Sequence, residues 1–340
     1  MSDKTLEKCT SKKTKIINDF VELITPHISP TQKERIEQCG DLLMFVADAT
    51  LEKRKLKAGD FCGNRFCPLC AWRKARRNAF NISTIMKWIS EVHQKEFIFL
   101  TLTTPNVEPE QLDEEIAKIN KALDRMMKRA EVQAMMDGCI RKLEVTYDKQ
   151  KIITKEMFRD RKQYYQKRGL KVGDDNPNYN TYHPHFHIVI AVNKTYFTDK
   201  KYYITQQRWL KLWQEATGDN SITQVHVQKA KNDTLKQVYE LAKYSAKDSD
   251  YLVNASVFDV FYKALKGKKE FALSGLFKDG MKLLKGKKLS KYMEKDMVEY
   301  IYMLLFQWQT SEYKEYVKRE LTDEEKKQIN FKVVEELDVN

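Results

Sequence analysis

The chain has 340 residues, 42% hydrophobic and 32% charged, with a formal net charge of +13. That balance excludes disordered and fibrous classes and fits a soluble globular protein of two or three domains. A pI near 9.2 points to a polyanionic partner, nucleic acid first and an anionic membrane surface second. No apolar run approaches the ~18 residues of a membrane span, so no membrane partner is expected. The start, MSDKTLEKCTSKK, has no apolar h-region and reads as no secretory signal. Six cysteines are few for a disulfide scaffold of this length, so a reducing cytoplasmic compartment is expected.

In chain order, residues 1–30 are polar, with a short apolar periodicity around 16–24. Residues 31–48 have a helical pattern. Residues 61–77, FCGNRFCPLCAWRKARR, place Cys62, Cys67 and Cys70 in a C-x4-C-x2-C pattern, with Pro68 shaping the turn. Cys39 lies upstream in QCGD. Four thiolates complete a closed, tetrahedral, structural Zn²⁺ site. Cys39 is the expected fourth ligand, Cys9 and Cys139 are the alternatives, and buried free thiols are the plain reading. No acidic residue occurs from 61 to 90. Arg65, Arg73, Lys74, Arg76 and Arg77 surround Trp72 there, which favours DNA phosphate contacts over a merely solvated helix face.

Residues 71–93 read as one long helix. FIFLTLTT (97–104) is a strand ended by Pro105, 110–136 is helical, and KLEVTY (142–147) is a second strand. Residues 149–180 are charged and end in the loop signal GDDNPNYN. Residues 179–192 read YNTYHPHFHIVIAV. The apolar run 188–192 marks a buried strand, and period two places His185 and His187 on one face. Two imidazoles so placed form half of a metal site. A helix follows at 205–216, a strand at 223–228, and a helix at 233–247. On that last helix Glu240, Tyr244 and Lys247 fall at i, i+4 and i+7, a carboxylate, a phenol and an amine in a row. Taken alone, such a row is ordinary helix surface. From residue 255 onward the reading is helical and lysine-rich. YIYMLLFQW (300–308) suits a core helix, or else a subunit contact in a homodimer. The whole is an α+β plan: a central antiparallel sheet of about five strands with flanking helices, an N-terminal zinc knuckle and a helical C-terminal region.

A histidine pair opening an apolar strand, followed by a helix with Y-x-x-K, is similar to the motif order of HUH endonucleases. With FLTLTTPN, CGD, CGNRFCPLCAWRKARR, KLEVTY, YHPHFHIVIAVNKTYF and ELAKYSAKDSDY, the chain resembles the rolling-circle plasmid replication initiators of Gram-positive bacteria. The group with one tyrosine and an upstream glutamate fits best. The resemblance spans most of residues 35–310. It implies His185 and His187 as metal ligands, with Glu144 as the third and His183 as second choice. It implies Tyr244 as nucleophile, Glu240 as the glutamate replacing a second tyrosine, and Lys247 as the motif lysine. The implied cofactors are Mn²⁺ or Mg²⁺ for catalysis and Zn²⁺ for structure. The implied partners are plasmid origin DNA, duplex and hairpin or single-stranded, with a host helicase and DNA polymerase.

The expected divisions are 1–92, a helical region with the zinc element and basic helix; 93–254, the HUH endonuclease domain; and 255–340, the lysine-rich helical region. A transposase or relaxase of the same chemistry is the nearest rival. A zinc-containing DNA-binding regulator without catalysis is another, and a histidine-triad nucleotide hydrolase a third.

Overall fold

A computed structural model describes residues 4–230, 246–293 and 296–331. Nine strands are described, β1 (Leu42–Ala47), β2 (Arg54–Gly59), β3 (Lys95–Thr103), β4 (Met136–Asp148), β5 (Thr181–Asn193), β6 (Val225–Lys229), β7 (Phe271–Leu273), β8 (Tyr302–Gln309) and β9 (Glu312–Glu320). They form two antiparallel sheets, β2-β1-β8-β9 and β6-β3-β5-β4-β7. The class is α+β, as the sequence predicts. The chain divides into two compact units.

One unit holds described residues 4–93 and 277–331 and contains the four-stranded sheet. Its architecture departs from the helical expectation at both ends. The helix expected over 31–48 is Pro30–Glu37, capped by Ser29. It stops before Cys39 and Gly40, and LLMFVA continues as β1. The C-terminal region expected to be helical carries the β8–β9 hairpin, so 300–308 is a strand region and not a core helix. Aromatic and apolar residues in a short run serve either element. Here the turn decides: Gln309 pairs with Glu312, leaving a two-residue loop in which Thr310 takes φ 55°, the positive φ that tight hairpins need. β8 then pairs with β1 along its length, Leu43 opposite Phe306. The long helix runs Pro68–His93, three residues earlier than expected, with Pro68 opening it.

The other unit holds described residues 94–230 and 246–276. The strands expected at 97–104, 142–147, 179–192 and 223–228 are β3, β4, β5 and β6. β5 is the central strand, and 188–192 is buried throughout, so apolar side chains cover both of its faces there. Before that run the faces differ. Leu100, Leu102, Leu143, Val145 and Phe186 are buried core, while the alternate positions carry histidine, threonine, lysine and glutamate. The helix Leu112–Met127 packs against β5 and against the helix Gln206–Thr217. Trp213 of the latter is buried and its indole N–H donates to Thr103 O at 2.8 Å. The helix expected over 110–136 thus ends at Met127, and a short one follows at Ala130–Gln133.

β4 bends at a bulge between Met136 and Gly138. Gly138 has φ 151°, and a Cβ there would meet Ser274 O and Leu276 N at 2.6 Å. This contact lets β7 close on β4, the strand carrying Glu144. Gly138→Ala should cost roughly 1–3 kcal/mol from backbone strain and overpacking. Denaturant unfolding measures this, and a change below about 0.5 kcal/mol would mean the approach relaxes freely.

Candidate functional site: two metal-ligand clusters

The first cluster lies on the five-stranded sheet. Antiparallel register sets Glu144 of β4 opposite His185 of β5, Lys142 opposite His187, and Thr146 opposite His183. From β3, Thr101 and Thr103 stand opposite His187 and His185. Directly opposed residues share a face, so these side chains converge. Glu144 Oε2 lies 3.3 Å from His187 Nε2 and 4.0 Å from His185 Nε2. These three residues form a group that could hold a metal ion, and His183 is outside it.

Both imidazoles are oriented from behind. His185 Nδ1 lies 3.1 Å from the His183 carbonyl, and His187 Nδ1 lies 3.2 Å from Thr101 Oγ1. Nδ1–H of His185 therefore donates to a carbonyl, which leaves its Nε2 lone pair facing Glu144. Burial pushes the His185 pKa down to about 4. Burial, with the charges of His185 and Arg161 beside it, takes His183 to about 3. Burial opposes the Glu144 charge, but the His187 hydrogen bond and the Lys142 ammonium outweigh it and hold the carboxyl at about 2. At neutral pH His185 is a neutral donor and Glu144 an anion, the protonation states a divalent cation requires. Cis ligands of a six-coordinate ion stand about 3 Å apart, so the separations fit after a small closure. One carboxylate and two imidazoles leave further coordination positions open, as a catalytic ion needs.

Lys142 escaped sequence reading. It is fully buried in β4, in register with His187. The signal was the alternation of Lys142, Glu144 and Thr146, which matters only once β4 is known to flank β5. Thr101 was hidden in the same way. Tyr244 and Glu240 lie outside the described residues. Lys247 is exposed with extended backbone (φ −74°, ψ 142°) at the start of a short helix, Asp248–Tyr251. The helix expected over 233–247 therefore does not reach Lys247, and this lysine does not share a helix face as the i+7 spacing implied. The polar run around Asp248 restarts the chain, since short polar side chains favour helix starts over helix interiors; Asp248 itself accepts from the Ser249 N–H.

The second cluster belongs to the other unit. Cys39, Cys62, Cys67 and Cys70 converge, with all four sulfurs within 4.8 Å of one another. Three of the pairs, Cys39–Cys67, Cys39–Cys70 and Cys62–Cys70, are 3.6 Å apart. A tetrahedron with metal–sulfur bonds of about 2.3 Å has edges of about 3.8 Å, so the sulfurs fit such an ion. Burial pushes the Cys67 thiol up, while hydrogen bonds with Cys39 and Cys62 pull Cys70 down. Four thiolates need a cation to ionise together. Backbone N–H groups of Cys62 and Gly63 donate to the sulfurs of Cys39 and Cys70. Cys9 and Cys139 are buried outside the cluster, so Cys39 is the fourth member.

The loop carrying Cys39 is clamped from both chain ends. The Tyr313 hydroxyl donates to Gly40 O at 2.6 Å. The buried Lys13 ammonium donates to Glu37 O at 2.7 Å and pairs with Asp41 at 2.6 Å. Among the expected DNA-contacting residues, Arg73 stacks on Phe61 at 3.3 Å, Arg76 on Trp72 at 5.3 Å and Arg65 on Phe66 at 5.5 Å. Lys74 and Arg77 follow on the same helix, half-buried.

These two clusters, one of sulfur and one of nitrogen and oxygen, occur in a chain whose residues 53–317 match the replication protein family. The chain belongs to that family. It is 47% identical over 251 residues to Protein rep of Staphylococcus aureus, covering 74% of this chain and 97% of that protein. It is 30% identical to Protein rep of Lentilactobacillus hilgardii over 266 residues, 74% of each chain. It is also 30% identical to Protein rep of Streptococcus pneumoniae over 259 residues, 74% of this chain and 71% of that one. No solved structure matches. Among the described residues no helix is long and apolar enough to cross a membrane.

Elemental analysis of the purified protein should find about one zinc per chain in the cysteine cluster. Cys67→Ser should release it and lower the melting temperature, because structural zinc contributes folding free energy directly. A fully folded protein free of thiophilic metal would contradict this.

Proposed function

We propose that this chain initiates rolling-circle replication of a plasmid by nicking one strand of its origin and joining that strand to itself. The observation that carries the reading is the Glu144–His185–His187 cluster on the central sheet of a replication protein. A divalent ion held there, Mn²⁺ or Mg²⁺, would neutralise charge on the scissile phosphate. Imidazole donors tilt the preference towards Mn²⁺.

Tyr244 is the nucleophile. A phenol has a reference pKa near ~10 and needs help to lose its proton at neutral pH. Its oxygen bonds to phosphorus as the bond to O3′ breaks. The products are a 5′-phosphotyrosine and a 3′-hydroxyl that takes up a proton and primes a host polymerase. Lys247, exposed at the start of its short helix, steadies the phosphate or the phenolate. Glu240 acts at the end of a round. It accepts a proton from water, which cleaves the regenerated origin phosphodiester; the 3′-hydroxyl so freed attacks the phosphotyrosine, closing the strand and releasing the phenol, which takes back a proton. The chain has no G-x-x-x-x-G-K-[ST] loop, so strand separation falls to a host helicase. Zinc in the cysteine cluster fixes the start of the basic helix, and Arg65, Arg73, Lys74, Arg76 and Arg77 contact origin phosphates. The chemistry runs in the bacterial cytoplasm, where plasmid and polymerase are.

Tyr244→Phe should abolish nicking of supercoiled origin DNA and the covalent adduct while origin binding persists. An adduct formed by the phenylalanine variant would move the nucleophile to another tyrosine. His185→Ala and His187→Ala should each lower Mn²⁺-dependent nicking at least a hundredfold at limiting metal, on the order of one lost ligand. Unchanged activity in either variant would remove that histidine from the site. Absence of nicking by the parent on every origin fragment would leave a DNA-binding regulator.

A further inference from the structure

The segment between β4 and β5 had no assigned role in the sequence beyond a charged loop. It is a folded insertion. Residues 149–180 contain nine basic and four acidic residues, a net +5 in a chain whose total is +13. More than a third of the net charge thus sits on 32 of 340 residues, and every one of these nine bases is exposed.

A charged loop is ordinarily a solvated surface, but this one is built. Ile153 and Tyr165 are buried, and Phe158 stacks on Tyr165 at 5.8 Å. Thr154 caps the helix Lys155–Asp160. The return chain pairs with the outgoing one: Ile153 N–H donates to Asp174 O and Gly173 N–H to Ile153 O, both at 2.9 Å. The insertion is pinned to the end of β4 by Asn176, which is 4% exposed. Its amide donates to Asp148 Oδ1 and Gln150 O at 2.8 Å each. Arg161 also pairs with Asp148 at 3.3 Å. The anchor lies two residues past Thr146, the partner of His183, whose ring stacks on His185. The basic surface therefore begins a few residues from the metal-ligand cluster. It also carries flat groups: Arg168 lies 3.9 Å over the Tyr164 ring, and Tyr179 is 47% exposed.

We propose that this insertion grips single-stranded DNA on one side of the scissile phosphate. This rests on the nicking reading for the identity of that phosphate. Exposed lysines follow a flexible backbone, and exposed aromatic and guanidinium planes offer stacking faces to unpaired bases. A duplex hides those base faces, so the single strand is the partner the insertion fits. Its rigid anchoring gives the strand a fixed path from the insertion to the histidines.

The test uses fluorescence anisotropy of the full chain with a labelled 20-nucleotide thymidine strand and with a mixed-sequence 20-base-pair duplex. Lys162→Gln, Lys167→Gln, Arg168→Gln and Lys171→Gln are combined in one variant. Four lost phosphate contacts should cut the salt slope of single-strand binding by about 2.8. Affinity at about 0.1 M salt should fall by at least about tenfold, and duplex affinity by less than about twofold. Tyr179→Ala should weaken the single strand about fivefold or more through lost stacking. Lys162→Arg, Lys167→Arg and Lys171→Arg together should bind as the parent does, which separates charge loss from misfolding. An unchanged slope overturns the proposal, as does an equal loss on duplex. Nicking of origin DNA by the parent is scored separately. A parent that binds through the insertion but never nicks sinks the nickase reading and leaves the grip. A parent that nicks while the quadruple variant binds unchanged sinks the grip alone.

Discussion

The register between β4 and β5 is the constraint on which the site depends. Glu144 meets His185 and His187 because it stands opposite His185 in that ladder. A slip of one residue would turn Glu144 to the other face and bring Leu143 or Val145 among the histidines. The slip is prevented by the core on the reverse side. Leu143, Val145 and Phe186 are buried there, and a slip would place Glu144 and Lys142 in that apolar layer. Packing on one face thus holds the geometry of the other. Thr101 and the His183 carbonyl then complete the arrangement by fixing ring orientation.

Much of this was legible in the residues. FIFLTLTT, KLEVTY and the histidine run alternate as half-buried strands do, and the elements formed where expected. What was not legible required a partner in space. LLMFVA after Gly40 and YIYMLLFQW near the end are apolar runs without decisive periodicity. They become strands by pairing with each other across about 260 residues of sequence. Lys142 and Thr101 looked like ordinary strand polar residues until the ladder placed them beside the ligands. The C-x4-C-x2-C spacing disclosed three sulfurs, and only folding could choose Cys39 over Cys9 and Cys139. The helix spacing that aligned Lys247 with Tyr244 assumed helix through residue 247, where the backbone is extended.

The two metal-ligand clusters divide the chemistry by donor type. The sulfur cluster is closed: four thiolates fill a tetrahedron and leave no room for a substrate. The nitrogen and oxygen cluster is open, with three donors on one sheet face. With soft donors in one compact unit and hard donors in the other, thiolates would favour zinc and the carboxylate group would tolerate magnesium or manganese.

The pairing of β1 with β8 also sets an order of events during synthesis. β1 is made early, yet one of its two neighbours is not translated until residues 302–309. The sheet beside the cysteine cluster therefore cannot close until nearly the whole chain has emerged. The strands of the other unit all lie between residues 95 and 273, so that unit can assemble first. Through that interval β1 presents an unsatisfied, apolar edge of the kind that recruits chaperones or aggregates. Conditions that slow aggregation while that edge is open, such as a lower expression temperature, should raise the yield of folded protein.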